Sequence, residues 1–140
     1  MFVYLQIDED GRLYGTTPAG CITIPNSVTR IVNHAFLNCY EITSIVIPNS
    51  VTSIGESAFA GCTSFKRIDI PNSVQCIGAS AFYECASLER VTIPDSVEFI
   101  GDHAFLCCYK LERIEIPSHF TDEEVQKWGV HSACEVVRRN

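Results

Sequence analysis

Apolar residues return along this chain with a period of 23 residues. Ile24, Ile47, Ile70, Ile93 and Ile116 each precede a proline: Pro25, Pro48, Pro71, Pro94 and Pro117. Four positions after each of the first four isoleucines stand Val28, Val51, Val74 and Val97, followed by Ile31, Ile54, Ile77 and Ile100. Next come the pairs Ala35-Phe36, Ala58-Phe59, Ala81-Phe82 and Ala104-Phe105, then Cys39, Cys62, Cys85 and Cys108. Ile42, Phe65, Leu88 and Leu111 follow, and Ile45, Ile68, Val91 and Ile114 lead into the next Ile-Pro. A pattern kept at so long a period specifies a stack of like coils rather than one wound core.

Shorter periods describe one coil. Ser44-Ile45-Val46-Ile47 alternates and is β-branched, which predicts a short strand with Ile45 and Ile47 inward. Pro48 has no N–H and ends the pairing, and Pro48-Asn49-Ser50 is turn chemistry. Val51 and Ile54 re-enter the core from the far side. Gly55, repeated as Gly78 and Gly101, is expected to take a backbone shape that a Cβ disfavours; the first repeat carries Val32 there. Glu56-Ser57-Ala58-Phe59-Ala60 predicts one or two helical turns, with Phe59 filling the middle of the coil. One coil cannot bury its own core, so stability belongs to the array, and neighbouring strands should form a parallel sheet at ~4.8 Å spacing.

The ends depart from the beat. Continuing the period puts Phe120, Trp128, Cys134 and Val137 where Val, Phe, Leu and Ile stood. Thr121-Asp122-Glu123-Glu124 is a capping box, with Phe120 and Val125 as a hydrophobic staple and Gly129 as the stop. Lys127 stands for the core Ala and Arg139 for the next Ile, the polar outer face a terminal repeat requires. Phe2 to Ile7, Asp8-Glu9-Asp10-Gly11 and Arg12-Leu13-Tyr14 read as a hairpin; the acidic stretch lacks the ligand set of a calcium loop. The expected organisation is a single domain over 1–140. Residues 1–21 form a capping hairpin and lead-in, 22–115 four regular repeats, and 116–140 a degenerate fifth repeat acting as the C-terminal cap.

Composition narrows the function. A chain of 140 residues fits one domain, and a net charge of −7 argues against a nucleic-acid partner. No apolar run reaches the ~20 residues of a membrane span. The N-terminus has no basic region of the signal-peptide kind. Of eight cysteines, four share one phase and should stack as a ladder. Parallel side chains one coil apart do not converge to the ~3.5–4.5 Å between Cβ atoms that a disulfide needs. They read as small buried apolar residues in a reducing compartment. The expected location is cytoplasmic, or secreted or at the cell surface for an excised domain or a signal-independent route. No cofactor is expected.

The unit Leu-x-x-Ile-x-Ile-Pro-x-Ser-Val-x-x-Ile-Gly-x-x-Ala-Phe-x-x-Cys is whole from Leu88 through Ile93-Pro94, Ser96-Val97, Ile100-Gly101 and Ala104-Phe105 to Cys108. It resembles the BspA-like leucine-rich repeat, also called the Treponema pallidum type, over roughly residues 22–116. Gly11-Arg12-Leu13-Tyr14-Gly15 resembles the capping hairpin that often precedes such arrays. The resemblance implies an α/β repeat solenoid: a leucine-rich-repeat right-handed coil of 23-residue repeats, with short parallel β-strands on the concave side and short helices on the convex side. It implies a non-enzymatic protein-binding module of surface, adhesion and host-interaction proteins, without catalytic residues.

Function then falls to the residues that ignore the beat. The outward strand positions after Cys21 and Thr23 are Ser44, Val46, Arg67, Asp69, Arg90, Thr92, Arg113 and Glu115, the expected partner-binding set. Arg67, Arg90 and Arg113 form a file able to grip an acidic or aromatic segment of a protein or peptide ligand. The competing reading is a solvated face neutralised by Asp69, Glu89, Glu112 and Glu115. Tyr40, Tyr83 and Tyr109 form either an adhesive patch or wet tyrosines over helix surface. His103 and Cys107, four apart, would be a metal pair or a thiol with its base on a helix, but further ligands at zinc spacing are missing. With Cys21 and Cys76 they define an alternative, a redox- or metal-responsive protein. A structural spacer from a longer surface protein is the third class. The polar ends favour a monomer, with a lateral dimer through the concave face as the variant.

Overall fold

The computed structural model describes residues 5–7, 12–15 and 19–140. The expected turn Asp8-Glu9-Asp10-Gly11 and the start of the hairpin at Phe2 to Tyr4 lie outside the described residues. Each regular coil supplies one strand to each of two six-stranded sheets, so the solenoid has a back sheet as well as the strand face. The back sheet holds β1 (Leu5–Ile7), β2 (Arg12–Gly15), β4 (Arg30–Ile31), β6 (Ser53–Ile54), β8 (Cys76–Ile77) and β10 (Phe99–Ile100), in that order. The front sheet runs β3 (Gly20–Thr23), β5 (Ile42–Val46), β7 (Arg67–Asp69), β9 (Arg90–Thr92), β11 (Arg113–Pro117) and β12 (Glu135–Arg139). β1 and β2 pair antiparallel as the expected hairpin, and β2 joins β4 in parallel, so the hairpin extends the back sheet.

The core follows the 23-residue phase. Apart from the prolines, every apolar residue of the first paragraph from Ile24 to Ile116 is buried. The four phenylalanines stack face to face: Phe36–Phe59, Phe59–Phe82 and Phe82–Phe105 have centroids 5.3, 5.6 and 5.4 Å apart and planes within 8°. The first four Ile-Pro steps make the same turn: Val28, Val51, Val74 and Val97 donate their N–H to the carbonyls of Pro25, Pro48, Pro71 and Pro94 at 3.1–3.2 Å.

The expected helical turns around Phe36, Phe59, Phe82 and Phe105 are not helices. Their backbone donors alternate between two directions. Ala58, Ala60 and Cys62 donate within their own coil to Gly55, Ser57 and Phe59, three residues back. Ser57, Phe59 and Gly61 donate instead to Ala79, Ala81 and Tyr83 of the next coil at 2.8–2.9 Å. Turning every second N–H outward requires left-handed backbone, and Ser57 (φ 53°), Ser80 (56°), His34 (62°) and His103 (62°) supply it at equivalent places. An α-helix would keep these donors inside the segment and leave the carbonyls of the next coil bare. Among the described residues the sole α-helix is α1 (Asp122–Lys127), in the terminal coil.

The glycines also act differently from expectation. None of Gly55, Gly78 and Gly101 has positive φ; they are where neighbouring backbones touch. A Cβ on Gly55 would lie 2.6 Å from the Asn33 nitrogen, and one on Gly78 2.5 Å from that of Glu56. Val32, at the equivalent position of the first coil, is half-buried against the edge of the core.

The cysteine ladder is more than apolar filling. Cys62, Cys85 and Cys108 each donate their thiol to the carbonyl of Phe36, Phe59 and Phe82 of the preceding coil, at 3.1, 3.2 and 3.0 Å. All eight cysteines are free. Burial pushes the thiols of Cys62 and Cys108 up to about 12 and that of Cys85 well above its ordinary value.

The final coil is one residue shorter than the beat. Ile114 pairs with Val136, so Val136 rather than Val137 continues the inward file, and Arg138 rather than Arg139 stands beside Ile116. Cys134 and Val136 pack only partly against the core. The capping box is present: Glu124 N–H donates to Thr121 Oγ1 at 3.2 Å and Thr121 N–H to Glu124 Oε2 at 2.7 Å. Trp128 is buried and meets Phe120 edge to face at 5.0 Å.

Two measurements check this account. Gly78→Ala forces backbone against backbone and should cost about 2 kcal/mol or more in urea unfolding. The ladder thiols make the second expectation one of pH. The unfolded chain releases their protons near the ordinary value while the folded chain holds them to about 12. Stability should therefore fall as pH rises from about 9 towards 12. Replacing Cys62 and Cys108 by Ala should flatten that fall; an unchanged slope would refute the assignment.

Candidate binding face

The outward positions of the front sheet fall into two files. Arg67, Arg90, Arg113 and Glu135 are opposite one another on successive strands. Val46, Asp69, Thr92, Glu115 and Val137 form the second. Ser44 lies on β5, beside Cys21 of β3, at the beginning of the first file. Strand alternation turns the intervening Ile45, Ile68, Val91 and Ile114 into the core, so both files face solvent. All eight residues expected from the sequence thus share one face.

The three arginines are not equivalent. Arg113 donates to Glu115 at 3.0 Å and to Glu135 at 3.3 Å. The Glu115 carboxylate raises the affinity of that guanidinium for its proton, with Glu135 adding to the effect and partial desolvation opposing it. Arg67 and Arg90 are exposed, and neither has a carboxylate within 4.0 Å among the described residues. Of the expected neutralising carboxylates only Glu115 pairs with the file, on Arg113; Asp69, Glu89 and Glu112 do not, and Glu135 adds a partner that was not expected. Glu135 joins the file through the shortened last coil; counting 22 residues instead of 23 from Arg113 would have found it. A shallow groove of ≈ 180 Å³ lies along the file, between Arg67, Arg90 and Arg113 on one side and Asp69, Thr92 and Glu115 on the other. It adjoins a second groove of ≈ 330 Å³ that reaches Asn72, Pro94 and Asp95.

The C-terminal arginines brace this face. Arg139 reaches from β12 to the carbonyl of Ile93 and to Asp95 Oδ1 at 3.1 Å, two coils back. Arg138 pairs with Asp122 at 2.7 Å, joining the last strand to the start of α1.

The other candidates separate. Tyr40 and Tyr109 are exposed and share a phase, but with two coils between them they lie about 14 Å apart at ~4.8 Å per coil. Tyr83 belongs to another phase. The Glu84 carboxyl and then Cys107 raise its phenol, and Cys107 raises that of Tyr109. His103 and Cys107 are both in left-handed backbone (φ 62° and 63°) of a turn, so the helical four-apart geometry does not hold. Cys21 lies on the front sheet and Cys76 on the back sheet, on opposite walls. Among the described residues no three His, Cys, Asp or Glu side chains are grouped to hold a metal ion.

Comparison with known proteins agrees with this architecture. The family profile described as "BspA type Leucine rich repeat region" matches residues 11–127 in six copies. A leucine-rich cell surface protein from Faecalibacterium prausnitzii A2-165 superposes with a TM-score of 0.83 at 32% identity, covering 99% of this chain and 38% of that one. A leucine-rich repeat protein from Bacteroides ovatus ATCC 8483 gives 0.77 at 29% identity over 87% of this chain and 30% of that one. The T. pallidum leucine-rich repeat protein gives 0.59 at 27% identity over 81% and 68%. The chain therefore spans about a third of the length of the first two. No curated protein matches it.

Thiol accessibility checks the placement of the cysteines. In the native protein the exposed Cys21 and Cys76 should react promptly with a thiol reagent at pH 8, and Cys62, Cys85 and Cys108 only at the rate of unfolding. Prompt reaction of a ladder thiol would contradict the packing described.

Proposed function

The chain belongs to the BspA-type leucine-rich repeat family, and from that premise we propose that it is a non-enzymatic protein-interaction module whose front sheet grips an acidic segment of a protein or peptide. One observation carries the reading: Arg67 and Arg90 stand in register on adjacent strands, exposed and without an acidic partner among the described residues, while Arg113 beside them is neutralised. In the groove the two guanidiniums stand side by side, so one acidic segment can reach both. Guanidinium forks bind carboxylates in pairs of parallel hydrogen bonds, and arginine is enriched at interface hot spots. Val46, 58% exposed on the same face, offers an apolar contact next to the charged pair.

The setting we propose is a secreted or cell-surface one, supported by the neighbour described as a leucine-rich cell surface protein. The ladder thiols do not oppose it, because burial and raised proton affinity keep them unreactive in either compartment. No helix among the described residues is long and apolar enough to cross a membrane. Adhesion or host interaction is the use that such a face on such a scaffold serves.

Random peptides selected against the folded module test the reading. The expected binders are rich in Asp and Glu and lose affinity with rising salt. They should bind the Arg67→Glu/Arg90→Glu variant at least about tenfold more weakly, whereas Arg113→Glu should change affinity by less than about threefold. Binders indifferent to the double substitution would move the site elsewhere.

A further inference from the structure

The two sheets end differently at the C-terminal side. Beyond β10 no further strand pairs with the back sheet among the described residues; the terminal coil lies against that end instead, with Phe120 and Trp128 beside Phe99 and Ile100, and Lys127 and Trp128 accept hydrogen bonds from His103 and Phe105 of the adjoining turn. The front sheet ends on β12, which is paired with β11 on one side and, among the described residues, with nothing on the other. Glu135 donates its N–H inward, to the carbonyl of Glu112 at 2.8 Å. Successive residues of a strand aim their backbone groups to alternate sides. Glu135, Val137 and Arg139 therefore engage β11, and the N–H and C=O of Val136 and Arg138 point away from the sheet.

We propose that this edge pairs antiparallel with β12 of a second copy of the chain, about a two-fold axis at Val137. In that register Val136 of each copy lies opposite Arg138 of the other, and the outward-pointing groups of the two residues exchange both hydrogen bonds. Val137 meets Val137 in the close, non-hydrogen-bonded pair, so two outward apolar side chains cover each other. Glu135 meets Arg139 across the edge at both ends of the ribbon. The charge order Glu-Val-Val-Arg-Arg is thus self-complementary when reversed. Parallel, in-register pairing would put Glu on Glu and Arg on Arg. Charged residues on an edge strand ordinarily discourage pairing; here their order bars the parallel mode and admits the two-fold one. An isologous contact of this kind closes on itself, so it gives a dimer and not a fibre. This differs from a lateral dimer through the strand face, and it leaves Arg67 and Arg90 open in both copies.

Sedimentation velocity of the 140-residue chain over a concentration series tests it. A reversible monomer–dimer equilibrium is expected. Val137→Lys, which sets like charges opposite each other at the axis, should raise the dimer dissociation constant at least about tenfold. Glu135→Arg should weaken the dimer, and the double swap Glu135→Arg/Arg139→Glu should restore it to within about threefold of the parent. The swap is the discriminating arm, because Glu135 and Arg139 also pair with Arg113 and Asp95 inside the chain. The double variant leaves those internal pairs broken and restores only the contact between copies. Thermal unfolding of each variant verifies that it is folded. A monomer at every concentration, a dimer indifferent to Val137→Lys, or a double swap no better than the single would each overturn the proposal.

Discussion

Each coil of this protein completes its backbone hydrogen bonding on its neighbour. On the back turns every second N–H leaves its own coil for a carbonyl of the next, as Ser57, Phe59 and Gly61 do towards Ala79, Ala81 and Tyr83. The rest of the architecture depends on that exchange. It brings adjacent backbones so close that Gly55 and Gly78 have no room for a Cβ. It requires left-handed φ at Ser57, Ser80 and His103. It also sets the spacing at which phenylalanine rings stack at 5.3–5.6 Å and cysteine thiols reach the carbonyls of the preceding coil.

A stack held in this way confines variation to what points outward. The inward positions of all regular coils are nearly interchangeable, since each must fit the same neighbour above and below. The outward positions of the front sheet carry no such demand, and there the coils differ: Ser44 and Val46, then Arg67 and Asp69, then Arg90 and Thr92, then Arg113 and Glu115. The same ladder geometry that repeats the core brings these unlike residues into files. Charge compensation gathers at the end of the file, where Glu115 meets Arg113 and Glu135 joins because the final coil is one residue short. That short coil adds Glu135 to the Glu115 already paired with Arg113, and it sends Arg139 back across two coils to Asp95, while Arg67 and Arg90 have no carboxylate partner among the described residues.

The last coil departs from the regular ones. Its capping box converts the back turn into a true helix, α1, whose donors are satisfied locally by Thr121 and not by a following coil. Trp128 takes the place of the stacked phenylalanine and covers the core with a larger ring system, edge to face with Phe120. Among the described residues neither β10 nor β12 pairs with a further strand; the terminal coil lies against the β10 end, and β12 carries a charge order of its own.

Much of this was legible in the residues alone. The 23-residue phase identified the buried set, the strand positions and the shared face of the candidate site, because inward and outward positions alternate along any strand. Three things were not legible. The turn after Gly55 reads as helix because Glu, Ser and Ala give no local objection to one; its real competitor, a carbonyl 22 residues away, has no local signature. Gly55, Gly78 and Gly101 look like residues chosen for φ, and only the packed neighbour shows that they were needed for space. The slip that puts Val136 inward depends on where the shortened coil finds its pairing partner, which a fixed count cannot foresee. The sequence by itself determined what each coil buries, since burial follows from the period of apolar residues. The tertiary structure decided how coils share hydrogen bonds and which charges meet, since both depend on groups brought together only when one coil lies on the next.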